Sequence, residues 1–254
     1  MPIIYRCTLE LLEATFFSTR EIGSLYQTDA FIGHIALCYA MGLAPSRYAS
    51  DGKRIHYRED LAALNDRGLY VTPATIHDEA RFSLGHFNAQ PDGYWSAMGN
   101  NALISVPEGA WATKDGNNWY IHSPGAERPK KYPVENRPQY GRIRALAIGN
   151  VADFYLVAEA PLELPSYLRL GKWMSKARLQ TAAVPIAGDE PGGHIPFLLA
   201  PADLAPETRL IAFDLLAVGP VPLIRQARLH GPCYRLEGGA LLPRGMRFNL
   251  EGLA

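Results

Sequence analysis

The chain has 254 residues, 48% of them hydrophobic and 20% charged, with 25 basic residues against 25 acidic ones and therefore no formal net charge. Such a composition excludes a disordered or collagen-like chain. It also excludes a global field drawing the protein to nucleic acid, so any contact of that kind must come from locally segregated charge.

Taken from the N-terminus, the opening segment alternates, with Ile3, Tyr5, Cys7, Leu9 and Leu11 on one face and Ile4, Arg6, Thr8 and Glu10 on the other, which predicts a half-buried strand. Arg6, Glu10 and Glu13 interrupt any apolar run there, so the pattern of a secretory signal is missing and a cytoplasmic address is expected. From Gln27 to Gly42, the residues Phe31, Ile35, Cys38 and Tyr39 recur at helical spacing, and Gly42 with Pro45 supplies the stop. The weakly polar stretch Ala30 to Leu43 carries His34 and is shorter than the ~20 apolar residues of a membrane span, so no transmembrane helix is expected. Strands are predicted at Gly68 to Pro73 and around Arg81 to Phe87.

From Asn88 to Pro138 the chain becomes rich in Gly, Asn and Pro, with isolated Trp95, Trp111 and Trp119. It reads as an inserted arm that holds short hairpins, one of them turning at Lys114 to Asn118. Strand patterns resume at Tyr140 to Ile148, Asp153 to Ala160, Trp173 to Thr181 and Leu210 to Ala217, with one or two more between Leu229 and Leu250. Pro and Gly recur from Pro161 to Pro196 and divide that part into short strands and tight connections. One main helix entered from a strand and followed by many short strands predicts an α+β fold of ferredoxin-like type with a β-rich core, the architecture of RNA-recognition domains, here without their aromatic strand signature. The chain reads as one domain over 1–254 with the arm inserted at about 88–138.

Cys7, Cys38 and Cys233 are an odd count at spacings of neither a disulfide framework nor a zinc knuckle, and read as small buried apolar residues. Charge is more informative. Arg169, Lys172, Lys176 and Arg178 stand without an acid between Pro165 and Ala182, and Arg128, Lys130, Lys131, Arg137, Arg142 and Arg144 face only Glu127 and Glu135. An acidic early region (Asp51, Glu59, Asp60, Asp66, Asp78, Glu79) balances them, as suits a protein with an RNA face and a protein face; solvated loops of either sign are the plainer reading. In Arg169-Leu170-Gly171-Lys172-Trp173-Met174-Ser175-Lys176, Gly171 permits a tight turn and close approach to a phosphate, the cations flank it, and Ser175 offers a hydroxyl. Trp173 stacks on a base or belongs to the core; the pattern allows both.

The same stretch carries a resemblance. Arg169 to Trp173 with Ser175-Lys176 resembles the signature of the Csc-one family, the type I-D version of the Cas-five subunit of CRISPR effector complexes. Ile4-Tyr5-Arg6-Cys7-Thr8-Leu9, then Phe16 to Gly23 with Leu25-Tyr26, then Gly68 to Ala74, and Tyr140-Gly141-Arg142 are similar to that family in the same order, over most of residues 1 to 182. The resemblance implies a repeat-associated (RAMP) RNA-binding fold with a projecting thumb, seated at the foot of the Cascade complex. There it would hold the five-prime handle of the crRNA, touch the adjacent backbone subunit and dock the large subunit. Arg169, Gly171, Lys172 and Lys176 are expected on phosphates, with Ser175, Arg20, Arg142 and Arg144 in support. Arg20 can instead cap locally or pair with Glu21.

Two other classes compete. Relatives in the superfamily include metal-independent endoribonucleases that process CRISPR repeat RNA, whose chemistry draws on His, Tyr and Lys. Here His34 reads as packed on the helix and His230, before Gly231-Pro232, as part of a turn, so no catalytic arrangement is legible. A pure protein scaffold would use Trp95, Trp111 and Trp119 as anchors. Gly188-Asp189-Glu190-Pro191-Gly192-Gly193-His194 places acids beside a histidine, but it matches no ligand spacing and reads as an exposed loop. No cofactor or metal is called for, and no phosphate-binding Gly-Lys-Ser/Thr loop or nucleophilic triad is present.

Overall fold

The alternation of the first residues forms a strand, β1 (Ile3–Leu11), in which Cys7, Leu9 and Leu11 are buried. The structure, a computed structural model, describes residues 1–23, 25–45, 56–77, 79–89, 106, 108–115, 118–132, 139–219 and 221–251. Trp95, Asp51, Asp78, Glu135 and Arg137 lie outside them. In chain order β1 is followed by β2 (Arg20–Ile22), β3 (Leu25–Gln27), β4 (Phe31–Ile32), α1 (His34–Ala40), α2 (Tyr57–Asp66), β5 (Tyr70–Val71), β6 (Ala74–Ile76), β7 (Phe82–Ala89), β8 (Trp111–Asp115), β9 (Asn118–His122) and β10 (Lys130–Tyr132). The later part holds β11 (Gln139–Leu146), β12 (Val151–Ala158), β13 (Tyr167–Leu170), β14 (Ser175–Ala183), β15 (Ile186–Ile195), β16 (Arg209–Leu216), β17 (Leu223–Leu236) and β18 (Leu241–Pro243). The protein is thus α+β and β-rich, with short helices; among the described residues no helix is long and apolar enough to cross a membrane.

Four sheets result. The largest runs β13-β14-β1-β12-β6-β4, with β5 also on β12, and its centre is β1, antiparallel to both β12 and β14. A second runs β2-β3-β11-β7, a third β10-β9-β8, and the C-terminal one β15-β17-β16 with β18 on β17. One buried cluster extends from Ile4 to Phe248 and includes Leu37, Leu64, Phe154, Leu179, Ile224 and Leu242. All three cysteines are free and buried, and burial pushes the Cys233 thiol up to about 11.

Several expectations are corrected. The helix read over Gln27–Gly42 is confined to α1, because Leu25–Gln27 pairs with β11 and Phe31–Ile32 with β6. It is not the main helix: α2 is longer, and it carries no apolar period in the sequence because it is largely polar and buries only Asp60, Leu61 and Leu64. The segment 188–194 is strand, not loop; Gly188 and Pro191 sit at the two register shifts of β15, an edge strand, where a proline costs the ladder least. His230 lies within β17, which runs through Gly231-Pro232 without turning. The hairpin at Lys114 to Asn118 is present, with Asp115 opposite Asn118.

Asp203, in a single 3-10 turn at Pro201–Asp203, ties the C-terminal part to the N-terminal core. Its carboxylate is buried and accepts the Tyr70 hydroxyl at 3.0 Å and the Asn249 amide at 2.8 Å, while His34 Nε2 lies 3.1 Å away. Phe248 closes the cluster, stacked on His34 at 5.7 Å. Burial, then the Asp203 charge, pushes the Tyr70 phenol well above its ordinary range. The Asp203→Ala variant leaves these donors buried without their acceptor and is expected to lose about 3–5 kcal/mol in urea unfolding. A loss under about 1 kcal/mol would show that the cluster does not hold the two parts together.

Candidate nucleic-acid interface

Two groups of cations carry the site. The first is on the β2-β3-β11-β7 sheet, where β3 and β11 run parallel and β7 antiparallel to β11. Arg144 is in register with Gln27 and Leu84, Arg142 with Leu25 and His86, and Arg20 with Gln27, so strand alternation gives all three arginines one face. Ile143 and Ala145 point the other way and pack with Phe16 and Tyr26. The arginine face is open: Arg20, Arg142 and His86 are exposed, and so are Ile22 (60%) and Leu84 (76%). Arg144 is held over the Phe82 ring at 3.6 Å, a cation–π contact that fixes the guanidinium without neutralising it. Arg20 pairs with Asp29 at 3.1 Å rather than with Glu21, whose carboxylate accepts the Ser18 hydroxyl. Among the described residues no carboxylate pairs with Arg142 or Arg144. His86 and the exposed Ile22 and Leu84 escaped the sequence reading because only the cross-strand register brings them beside the arginines.

The second group is the β13–β14 hairpin. Gly171 has φ +72°, and a Cβ there would sit 2.5 Å from the Phe16 carbonyl oxygen, which accepts the Lys172 amide at 2.9 Å. The turn needs glycine to close against Phe16, a reason independent of any phosphate. Trp173 stacks on the buried Phe16 ring at 4.9 Å yet stays 43% exposed, so it is neither plain core nor a free platform. Ser175 is buried and its hydroxyl donates to the Ala14 carbonyl at 2.8 Å, which removes it as a phosphate donor.

The basic stripe that lacks acids in the linear sequence acquires them from β1 and the residues after it. Glu10 is in register with Arg178 and pairs with it; Glu13 accepts the Lys176 amide and lies 3.8 Å from Arg169. The Lys176 ammonium rests 4.4 Å over the Tyr167 ring, and Arg169 donates to the Met174 carbonyl at 3.0 Å. Lys172, exposed at the tip, is the cation of this group with no such partner among the described residues. On the same sheet face, Asp153 accepts hydrogen bonds from Thr8, Arg6 and His77. Burial raises the Asp153 pKa, but those bonds outweigh it and hold the carboxyl below its ordinary range.

The two groups do not form one clamp. Phe16 packs on the Ile143 face of the four-stranded sheet and carries Trp173 on it, whereas Arg142 and Arg144 alternate to the opposite face. Residues 13–19 join them: Thr15 exchanges two backbone hydrogen bonds with Leu146, and the Phe17 amide donates to the Thr28 hydroxyl. Most described histidines are engaged elsewhere, His34 with Asp203, His77 with Asp153, His122 with Thr113 and His194 with Gln226. Among the described residues no group of three or more His, Cys, Asp or Glu is placed to hold a metal ion.

A family model described as Type I-D CRISPR-associated protein Cas5/Csc1 matches residues 2–251. The match therefore runs through residues 88–138 and well past Thr181, where the motif resemblance stopped. No curated protein matches the chain.

Gly171→Ala is expected to cost about 2–4 kcal/mol, from the left-handed backbone and the clash with Phe16, read as a drop in the urea midpoint. A neutral variant would mean that the turn moves freely from Phe16. For Asp153, a depressed folded pKa means stability that is complete above the ordinary carboxylate range and is lost as pH falls through the folded value. Melting temperatures from about pH 7 down to pH 2.5 should therefore fall less steeply for Asp153→Asn than for the parent below about pH 4. Equal slopes would remove Asp153 from the acid response.

Proposed function

We propose, because this chain belongs to the type I-D CRISPR-associated Cas5/Csc1 family, that it is the non-catalytic subunit that holds the five-prime handle of the guide RNA in the type I-D Cascade complex. The observation that carries this reading is the open sheet face with Arg20, Arg142 and Arg144 in register, exposed apolar side chains between them, and, among the described residues, no carboxylate on the latter two. Single-stranded RNA is bound by such a surface: cations on a rigid sheet take the phosphates, and apolar side chains receive the unstacked bases. Lys172, beside the half-exposed Trp173 and with Arg169 and Lys176 behind it, is a second contact on the other side of the sheet. An RNA reaching both groups bends around the sheet edge, which a single strand does readily and a duplex does not.

The antiparallel β1–β12 centre with α1 and α2 supports a ferredoxin-like core of a RAMP-type domain, to whose inserted arm β8, β9 and β10 would belong. Trp111, exposed on β8 and stacked on His122 at 5.2 Å, is the anchor offered to the adjacent backbone or large subunit. Holding rather than cutting is favoured by the structural engagement of His34, His77, His122 and His194. His86, on the arginine face, is the residue a nuclease would need.

Purified protein is to be titrated in EDTA onto labelled repeat RNA across a salt series. The R142A/R144A variant should bind about tenfold more weakly at 0.1 M salt, with the slope of log affinity against log salt shallower by about 1.4, and the parent should leave the RNA intact. Parental affinity in the variant would overturn the arginine face, and cleavage abolished by His86→Ala would overturn the holder.

A further inference from the structure

The C-terminal sheet repeats, on a surface unrelated to the one above, the feature that marks the arginine face. On β17, Ala227, Leu229 and Cys233 are buried, so Arg228 and His230 point outward. Arg228 is in register with His194 on β15 and Ala212 on β16, and His230 with Gly192 and Arg209. Two adjacent rungs across three strands therefore place Arg209, Arg228, His194 and His230 on one face, all four exposed. Gly192 adds no side chain to cover His230, and Ala212 adds almost none beside Arg228.

The acids of this sheet are already spent. Asp214 pairs with Arg225 at 3.3 Å, Asp189 with Arg244 at 3.3 Å and Glu190 with Arg235 at 3.3 Å. Neither Arg209 nor Arg228 has a carboxylate partner among the described residues. His194 is held in place by Gln226 at 2.8 Å, so this face is preorganised and not merely solvated. Residues two apart on a strand are separated by about 6.7 Å, and neighbouring strands by about 4.8 Å. A grid of that pitch suits successive phosphates of one extended strand.

We propose that this face is a second nucleic-acid site, in which Arg209 and Arg228 take consecutive phosphates of a strand and His230 donates beside them, with His194 bordering the face. It is independent of the guide-handle reading, because it shares no residue with that surface. It gives the protein two phosphate tracks.

The full chain is to be titrated with a labelled oligouridine of about twenty nucleotides, with a DNA duplex of equal length, and with labelled poly-glutamate, across a salt series. R209A/R228A should bind nucleic acid about tenfold more weakly at 0.1 M salt, with a single-strand salt slope shallower by about 1.4. Both side chains are exposed, so melting should be unchanged, and R209K/R228K should keep most of the affinity. The oligouridine and duplex arms tell which form of nucleic acid the face prefers. Parental affinity and slope in R209A/R228A, alongside a loss in R142A/R144A, would overturn this site and leave the arginine face standing; the reverse pattern would do the opposite. Poly-glutamate bound as tightly as oligouridine and lost in the same variant would assign the face to an acidic protein and overturn the nucleic-acid site.

Discussion

The Phe16 peptide is the contact on which the arrangement of cations depends. Its carbonyl accepts the Lys172 amide and occupies the space a Cβ on residue 171 would need, and its ring is buried between Trp173 and the Ile143–Ala145 face of the four-stranded sheet. One residue thus fixes the β13–β14 turn and the sheet against each other. Packed interiors transmit such constraints because they cannot deform by fractions of an ångström without losing contacts. The position of Lys172 relative to Arg142 is therefore set by apolar packing and one glycine, and the charges themselves contribute little to it.

Electrostatics then sorts the cations into two kinds. Arg178, Arg169 and Arg6 face acids across the largest sheet, which leaves Lys172, among the described residues, as the open cation of that hairpin. Exposed pairs of this type contribute little stability each, but they remove a cation from the field a phosphate would feel. Among the described residues Arg142, Arg144, Arg209 and Arg228 lack such partners, and each pair projects from one face of a sheet with exposed neighbours. A neutral chain can in this way present two positive faces without a global field.

The buried Asp203 cluster performs a different task. Together with Tyr155 and Phe197, whose rings meet at 5.0 Å, it seats the C-terminal sheet on the largest sheet, so that a single apolar cluster spans both. It also lies on the side of Ile4, which is buried although it belongs to the nominally polar face of β1: Ile4 is in register with Val157, and Val157 with Tyr70, whose hydroxyl donates to Asp203.

Consecutive residues determined whatever depends on local period and turn chemistry. The alternation of β1, β11, β12 and β14, the hairpin closing between Asp115 and Asn118, the burial of the three cysteines and the ordered patches of family resemblance were all legible in this way. So was the α+β, β-rich class. Only the tertiary structure decided which side chains meet. Glu10 finds Arg178 through a pairing of strands 168 residues apart, Ser175 turns inward to Ala14, and Arg20 reaches Arg144 only through the shared partner Gln27. The shortened α1, the polar α2 and the strand through Pro191 have the same origin, since neighbours distant in sequence supply the hydrogen bonds and burial that override local propensity. Strand register is a non-local quantity, and a site built across strands is specified only when the sheet has formed.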